Sequence, residues 1–134
     1  MKYTYTIFTK VLAETEYKNW LSEIIEILKN NDIHEVEILF GVAWGNEYKD
    51  WTPFKVDVEE IVNEIKEAEK MNVGRFSHDD FFIMVSEIEV EILFCHECDM
   101  HLSFNDQNRV VSAIINEWEI NRIIHVRKEN DLSV

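Results

Sequence analysis

The hexapeptide Glu-Val-Glu-Ile-Leu-Phe occurs twice in this chain, at residues 35–40 and again at residues 89–94. Acidic and apolar residues alternate in its first four positions, and successive side chains of a β-strand point to opposite faces. Each copy is therefore predicted to be a strand with one acidic face and one face that needs a covering layer. Repeat arrays need about three or more units, so the two copies indicate two strands with the same role.

Apolar patterns along the rest of the chain predict an alternation of strands and helices. Alternating or continuous apolar runs predict strands at residues 3–7, 34–44, 81–85, 88–102 and 122–126. Apolar stripes at helical spacing predict helices at residues 15–30, from Asp57 to a stop at residues 72–74, and from Asn105 to Trp118. Residues 45–56 are predicted to form a loop and residues 127–134 a frayed tail. The predicted fold is one α+β domain over residues 1–134, with a mixed, mainly antiparallel sheet and about three helices packed on one face.

Charge is the most unusual feature of the composition. The 134 residues include 27 acidic and 13 basic ones, for a formal net charge of −14. Such a surface repels phosphate backbones and anionic membranes and attracts a basic protein. We therefore expect a basic protein partner, with no direct contact to nucleic acid or membrane. The alternative is that the charge only keeps the protein soluble.

The expected compartment is inferred from three features that the sequence lacks: a secretory signal, a membrane span and a disulfide framework. The first eight residues, Met1 to Phe8, lack the apolar core of a secretory signal. The chain has no apolar run near the ~20 residues that span a bilayer, and its two cysteines are too few for a disulfide framework. These features predict a cytoplasmic protein.

Soft and borderline metal ligands are concentrated in residues 95–101. Zinc favours cysteine and histidine, so the alternative to a metal-free protein is a zinc protein or metalloenzyme that uses Cys95, His96, Cys98 and His101. In an unbroken strand Cys95 and Cys98 lie on opposite faces, and His96 shares the face of Cys98. A turn near Glu97 would instead let Cys95, Cys98 and His101 converge. The competing interpretation is a buried cysteine beside a hydrogen-bonded core histidine.

No complete catalytic signature is present, and we expect a protein that is not an enzyme. Redox chemistry of a Cys-x-x-Cys pair needs the first cysteine at a helix N-terminus, whereas a strand is predicted through Cys95. The neighbouring Glu97 and Asp99 would raise a thiol pKa. Glycine-rich phosphate loops are absent as well.

The predicted partner-binding surface combines acidic strand faces with two tryptophans. Its carboxylates share the outer faces of two predicted strands, and Trp44 and Trp51 flank the predicted loop, where they would act as interface anchors. The residues assigned to it are Glu35, Glu37, Glu89, Glu91, Glu97, Asp99, Trp44 and Trp51. Plain solvated carboxylates with core tryptophans are one alternative. Self-association through the loop from Trp44 to Phe54 is another.

The run from Phe94 to Leu102, Phe-Cys-His-Glu-Cys-Asp-Met-His-Leu, precedes a predicted helix that ends near Trp118. The small size, the acidity, the lack of a secretory signal and the lack of a catalytic motif are together similar to the small immunity proteins of bacterial toxin-immunity systems, and this run with its helix looks like the closing half of such a protein. The resemblance implies a non-enzymatic inhibitor that binds a co-produced toxin domain, often a basic nuclease. Carboxylates of such an inhibitor take the place of nucleic-acid phosphates. The resemblance assigns no individual functional residue.

Overall fold

The computed structural model describes residues 3–41, 44, 52–71 and 74–132. In this part of the chain the strands are β1 (Tyr5–Thr9), β2 (Glu35–Phe40), β3 (Phe54–Asp57), β4 (Phe81–Val85), β5 (Val90–Phe94), β6 (Met100–Phe104) and β7 (Ile124–Glu129). The helices are α1 (Glu14–Asn30), α2 (Ile61–Lys70) and α3 (Arg109–Ile120). All strands join one sheet in the order β3-β2-β4-β5-β6-β1-β7, and every ladder is antiparallel.

The core lies between one face of this sheet and the helices. A cross-strand ladder of aliphatic residues runs through it, formed by Ile38, Ile83, Ile92, Leu102 and Ile7. Each is at most 4% exposed. The apolar stripes of all three described helices belong to the same buried cluster, so the predicted α+β fold with helices on one sheet face is confirmed. None of the described helices is long and apolar enough to cross a membrane.

Side-chain caps define where α2 and α3 begin. Asp57 Oδ1 accepts a hydrogen bond from the Glu59 amide at 2.9 Å, and a single 3₁₀ turn leads into α2. Asn108 Oδ1 accepts from the Val111 amide at 2.9 Å and caps α3. The predicted cap at Asn105 is wrong, because its Oδ1 accepts from the Thr4 amide at 2.9 Å and ties β6 to the residue before β1.

The predicted strand over residues 88–102 is wrong, since the segment is a hairpin of β5 and β6. The Cys95 amide donates to the Asp99 carbonyl at 2.9 Å and the Cys98 amide to the Cys95 carbonyl at 3.0 Å, which closes a turn. Cys98 has a φ of 64° in this turn. Both arms of the hairpin alternate between apolar and polar residues, so the alternation runs on across the turn and conceals it.

Two further strand segments differ from the prediction. β3 lies where a loop is predicted, and Val56 pairs with Val36 of β2. Its four residues contain one buried side chain, which is too short a pattern to predict a strand. β7 extends to Glu129 and pairs along β1, so residues 127–129 are not frayed. Edge strands carry exposed, charged residues, and β7 therefore lacks an apolar pattern.

Candidate functional site

The sheet face opposite the core carries no described helix. We call it the outer face. One row of side chains crosses it in register on six strands, formed by Leu39, Phe82, Leu93, His101, Phe8 and Val126. We call this the apolar row. Its members remain partly exposed, Val126 to 41%, and the Phe8 and His101 rings pack edge to face with centroids 4.5 Å apart.

A second row runs beside the first and is more polar. It consists of Lys55, Glu37, Met84, Glu91, Ser103, Thr6 and Lys128, and we call it the polar row. Glu37 and Glu91 flank Met84, two strand spacings or roughly 10 Å apart. Burial raises the pKa of Glu91 above its ordinary range, and Glu91 forms no ion pair with any described residue. Ser86 Oγ donates to Glu37 Oε1 at 2.9 Å.

Two other predicted carboxylates lie close to the polar row. Glu35 is exposed at the start of β2, opposite Asp57. Glu89 precedes β5 with a φ of 52°, and its Oε2 accepts a hydrogen bond from Asn105 Nδ2. Burial, followed by the charges of Glu91 and Glu89, raises the pKa of Tyr3 to about 12. The structure therefore gathers Glu35, Glu37, Glu89 and Glu91 toward one end of the outer face.

The rest of the predicted partner-binding set does not join this surface. Glu97 and Asp99 lie in the hairpin turn and not along a strand. Trp44 is fully buried, its Nε1 donates to the Asp80 carbonyl at 2.8 Å, and its ring packs edge to face on Phe40. The prediction that Trp44 anchors an interface is wrong, because no part of its side chain reaches the surface. Trp51 and residues 45–50 of the predicted loop lie outside the described residues.

A cluster of potential metal ligands surrounds the hairpin turn. We call it the turn cluster, and its members are Asp80, Cys95, His96, Asp99 and His101. Asp80, Cys95 and His96 place one ligand atom each within 4.8 Å of one another, and so do Cys95, Asp99 and His101. The sulfur of Cys95 is common to both groups. Of the three residues predicted to converge at a turn near Glu97, Cys95 and His101 do so and Cys98 does not.

Asp80 was not a candidate in the sequence, because it lies 15 residues before Cys95. The pairing of Phe81 with Phe94 brings Asp80 beside Cys95, and this depends on strand order. Asp80 Oδ1 accepts from both the backbone amide and Nδ1 of His96, each at 2.8 Å. Cys98, in contrast, belongs to neither group, since its thiol donates to the Ser77 carbonyl at 3.5 Å.

Electrostatics oppose a nucleophilic role for the turn cluster. Burial raises the pKa of Cys95 to about 12, and the charges of Asp99 and Asp80 add to the rise. A thiol that stays protonated is a poor nucleophile. His96 Nδ1 lies 3.7 Å from the Cys95 sulfur and also binds Asp80. In a catalytic triad one ring nitrogen faces the nucleophile and the other binds the carboxylate, so these three residues do not have the geometry of a triad. The hydrogen bond to Asp80 raises the pKa of His96.

The chain matches no family model, no curated protein and no solved structure. Two features of the described residues are suited to binding, the outer face and the turn cluster. The first is a broad surface suited to another macromolecule. The second is a compact set of sulfur, nitrogen and oxygen ligands suited to a cation.

Proposed function

We propose that this chain is a non-enzymatic binding protein that holds a basic protein partner against its outer face. The supporting observation is an apolar row lying beside carboxylates on a sheet face without a described helix, in a chain of net charge −14. Contiguous exposed apolar surface marks interaction sites in soluble proteins. Carboxylates beside it select a partner that carries arginine and lysine.

The two rows have different tasks in this proposal. The apolar row, centred on Phe82 and Leu93, supplies buried area, worth about 25 cal/mol per Å² removed from water. Glu37 and Glu91 orient the partner and raise its rate of association. A cationic side chain placed against Glu91 would offset the cost of keeping that carboxylate ionised in a partly buried position.

The outer face also has room for a cationic side chain beside Glu37. A depression of about 120 Å³ lies at the end of the polar row. Glu37, Lys55, Met84 and Glu87 are among the residues that line it. Two of these four are carboxylates and one is apolar, which suits the aliphatic stem and charged head of a lysine or arginine.

The partner class in the proposal is a toxin domain such as a basic nuclease, and the chain acts as its immunity-type inhibitor in the cytoplasm. Cationic residues of a nuclease that hold phosphates would meet Glu37 and Glu91 instead. The partner's nucleic-acid site is then occluded without any reaction on this chain. The two cysteines of this chain are free, in keeping with a reducing compartment.

The proposal is tested with three tagged forms of the chain, each used to bind the basic protein captured from the source cells at low salt. Glu37→Gln/Glu91→Gln neutralises the outer face. Glu16→Gln/Glu23→Gln changes the net charge by the same amount on the exposed surface of α1. We expect the outer-face form to lose about tenfold or more in affinity, while the α1 form binds like the unaltered protein.

Salt dependence completes the test. Binding to the unaltered chain should weaken steeply as salt rises, and the outer-face form should show a shallower dependence. Equal losses in both double variants would mean that net charge alone attracts the protein. Undiminished binding by the outer-face form would remove the outer face as the docking surface.

A further inference from the structure

We infer that the turn cluster is a binding site for one zinc-type divalent cation, held by Cys95, Asp99 and His101. The three residues lie at the closed end of the β5–β6 hairpin and place one ligand atom each within 4.8 Å of one another. The inference does not depend on the proposed function. His101 belongs to both the apolar row and the turn cluster, but Cys95 and Asp99 bracket the turn and lie outside both rows of the outer face.

The backbone holds these ligands in place. The Cys95 amide donates to the Asp99 carbonyl at 2.9 Å, so the two residues that bracket the turn are fixed to each other. His101 follows in β6, paired with Leu93, and the Phe8 ring packs against it. In a tetrahedral site with bonds of about 2.0–2.3 Å, ligand atoms lie about 3.3–3.8 Å apart, so small side-chain movements close the set around an ion.

A buried carboxylate oxygen points to a ligand at this site. Asp99 Oδ1 is shielded from solvent and, apart from the neighbouring Cys95 thiol, has no hydrogen-bond partner among the described atoms. The other oxygen, Oδ2, accepts from His101 Nε2 at 2.9 Å. A solvent-shielded oxygen without a partner is rare in folded proteins. A cation bound between Asp99 and Cys95 would satisfy it.

Asp80 and His96 can complete the coordination. They form the second group of ligand atoms around the Cys95 sulfur and are joined to each other at 2.8 Å. One of them can supply the fourth ligand, while the other orients it by the hydrogen bond, as outer-shell partners of metal ligands do. Four ligands in a closed set are typical of structural zinc sites.

The mixture of donors selects the metal. One thiolate, imidazole nitrogen and carboxylate oxygen together suit a borderline-soft ion such as Zn²⁺, whereas Mg²⁺ and Ca²⁺ take oxygen ligands. On binding, the Cys95 thiol gives its proton to solvent and its sulfur forms the bond to the metal. Each bound ion therefore releases a proton, and affinity rises with pH.

The test uses the full chain, stripped of metal and titrated with Co²⁺, which is then displaced by Zn²⁺. We expect about one ion per chain, with the strong visible absorption of tetrahedral Co²⁺ and a thiolate-to-metal charge-transfer band in the ultraviolet. Cys95→Ser should remove the charge-transfer band. Cys98→Ser is the matched control, since this cysteine is in the same turn but outside both ligand groups, and it should keep the band.

A second pair of variants guards against misfolding of the buried Cys95 site. His101→Gln should weaken Zn²⁺ binding by about tenfold or more, whereas His125→Gln, on an exposed position of β7, should leave it unchanged. The inference is overturned if Co²⁺ gives no charge-transfer band, or if Cys98→Ser and His125→Gln weaken binding as much as their counterparts. Cys95 lies outside both rows of the outer face, so loss of metal binding with intact partner binding in Cys95→Ser would leave the proposed function standing.

Discussion

Glu37 and Glu91 lie opposite the same residue, Met84, from the two strands that flank β4. They occupy the same position in the two copies of the repeated hexapeptide, which lie in the same register on either side of β4. The repeat therefore builds two matched strands, and the intervening Met84 separates their like charges. Carboxylates in directly paired positions would destabilise the sheet, so this spacing makes an acidic outer face tolerable.

Glu91→Gln is expected to increase the free energy of unfolding at neutral pH. Burial raises the pKa of Glu91, so the folded state holds this proton more tightly than the unfolded state does. Stability contributed by Glu91 is thus lost as the pH rises from the ordinary glutamate range through the raised pKa. Urea unfolding at acidic and neutral pH measures how far the free energy of unfolding falls as the pH rises. This fall should be smaller in Glu91→Gln than in the parent. A Glu91→Gln variant less stable than the parent at neutral pH would contradict the account.

How much the sequence predicts depends on how local the determining contacts are. α1 and β4 are predicted nearly to the residue because each has an uninterrupted apolar pattern. β3 is missed, and the predicted last strand ends three residues before the end of β7. Few side chains of these strands are buried, and strand pairing rather than pattern defines them. The β5–β6 turn is missed because alternation continues across it.

The candidate sites show the same limit. Alternation correctly places Glu37 and Glu91 on the face away from the core. The sequence does not predict the apolar row. Leu39 and Phe82 each lie between two apolar core residues of the same strand, so the sequence shows a continuous apolar run and does not indicate which of its residues face away from the core. Asp80 enters the turn cluster only through the pairing of β4 with β5, which a single sequence does not contain.

Of the three tryptophans that the structure describes, two are fully buried, Trp44 and Trp118, and they should respond differently to replacement by phenylalanine. Trp44 Nε1 donates to the Asp80 carbonyl at 2.8 Å, whereas Trp118 Nε1 has no partner among the described atoms. Each change leaves a similar cavity, but only Trp44→Phe removes a hydrogen bond. The Asp80 carbonyl then keeps its second bond, from the Gly41 amide at 2.9 Å. Trp44→Phe should therefore cost about 0.5–1.5 kcal/mol more than Trp118→Phe in chemical denaturation. Equal costs would mean that the hydrogen bond to Asp80 contributes nothing net.

In the metal-free protein, alkaline pH should destabilise the fold through Cys95. The pKa of this thiol is raised from 9.0 to about 12 in the folded state, so the unfolded state ionises first. The stability that the neutral thiol contributes is complete below pH 9.0 and is lost between 9.0 and about 12. Unfolding free energies measured across this window should fall less steeply in Cys95→Ser. Cys98→Ser provides the comparison, and an identical slope in Cys95→Ser and the parent would refute the assignment.

Phe82→Thr is expected to separate binding from folding. Phe82 lies in the middle of the apolar row and is partly exposed, so its truncation should cost less than a core change, about 1 kcal/mol. Binding of the basic partner should weaken by about tenfold to hundredfold if Phe82 is a central contact. The control is Ile120→Thr, which alters a side chain 65% exposed at the end of α3. Calorimetric titration of each variant with the basic partner measures the two affinities. Equal binding by the two variants would argue against the apolar row.

The most direct test of the binding account is methionine oxidation of the chain with and without its basic partner, read residue by residue by mass spectrometry. Met84 lies on the outer face between Glu37 and Glu91, and Met71 is 62% exposed at the end of α2, on the helical side. The account predicts that the partner protects Met84 and leaves Met71 as reactive as in the free chain. Protection of Met71 with unchanged oxidation of Met84 would place the partner on the helices and contradict it.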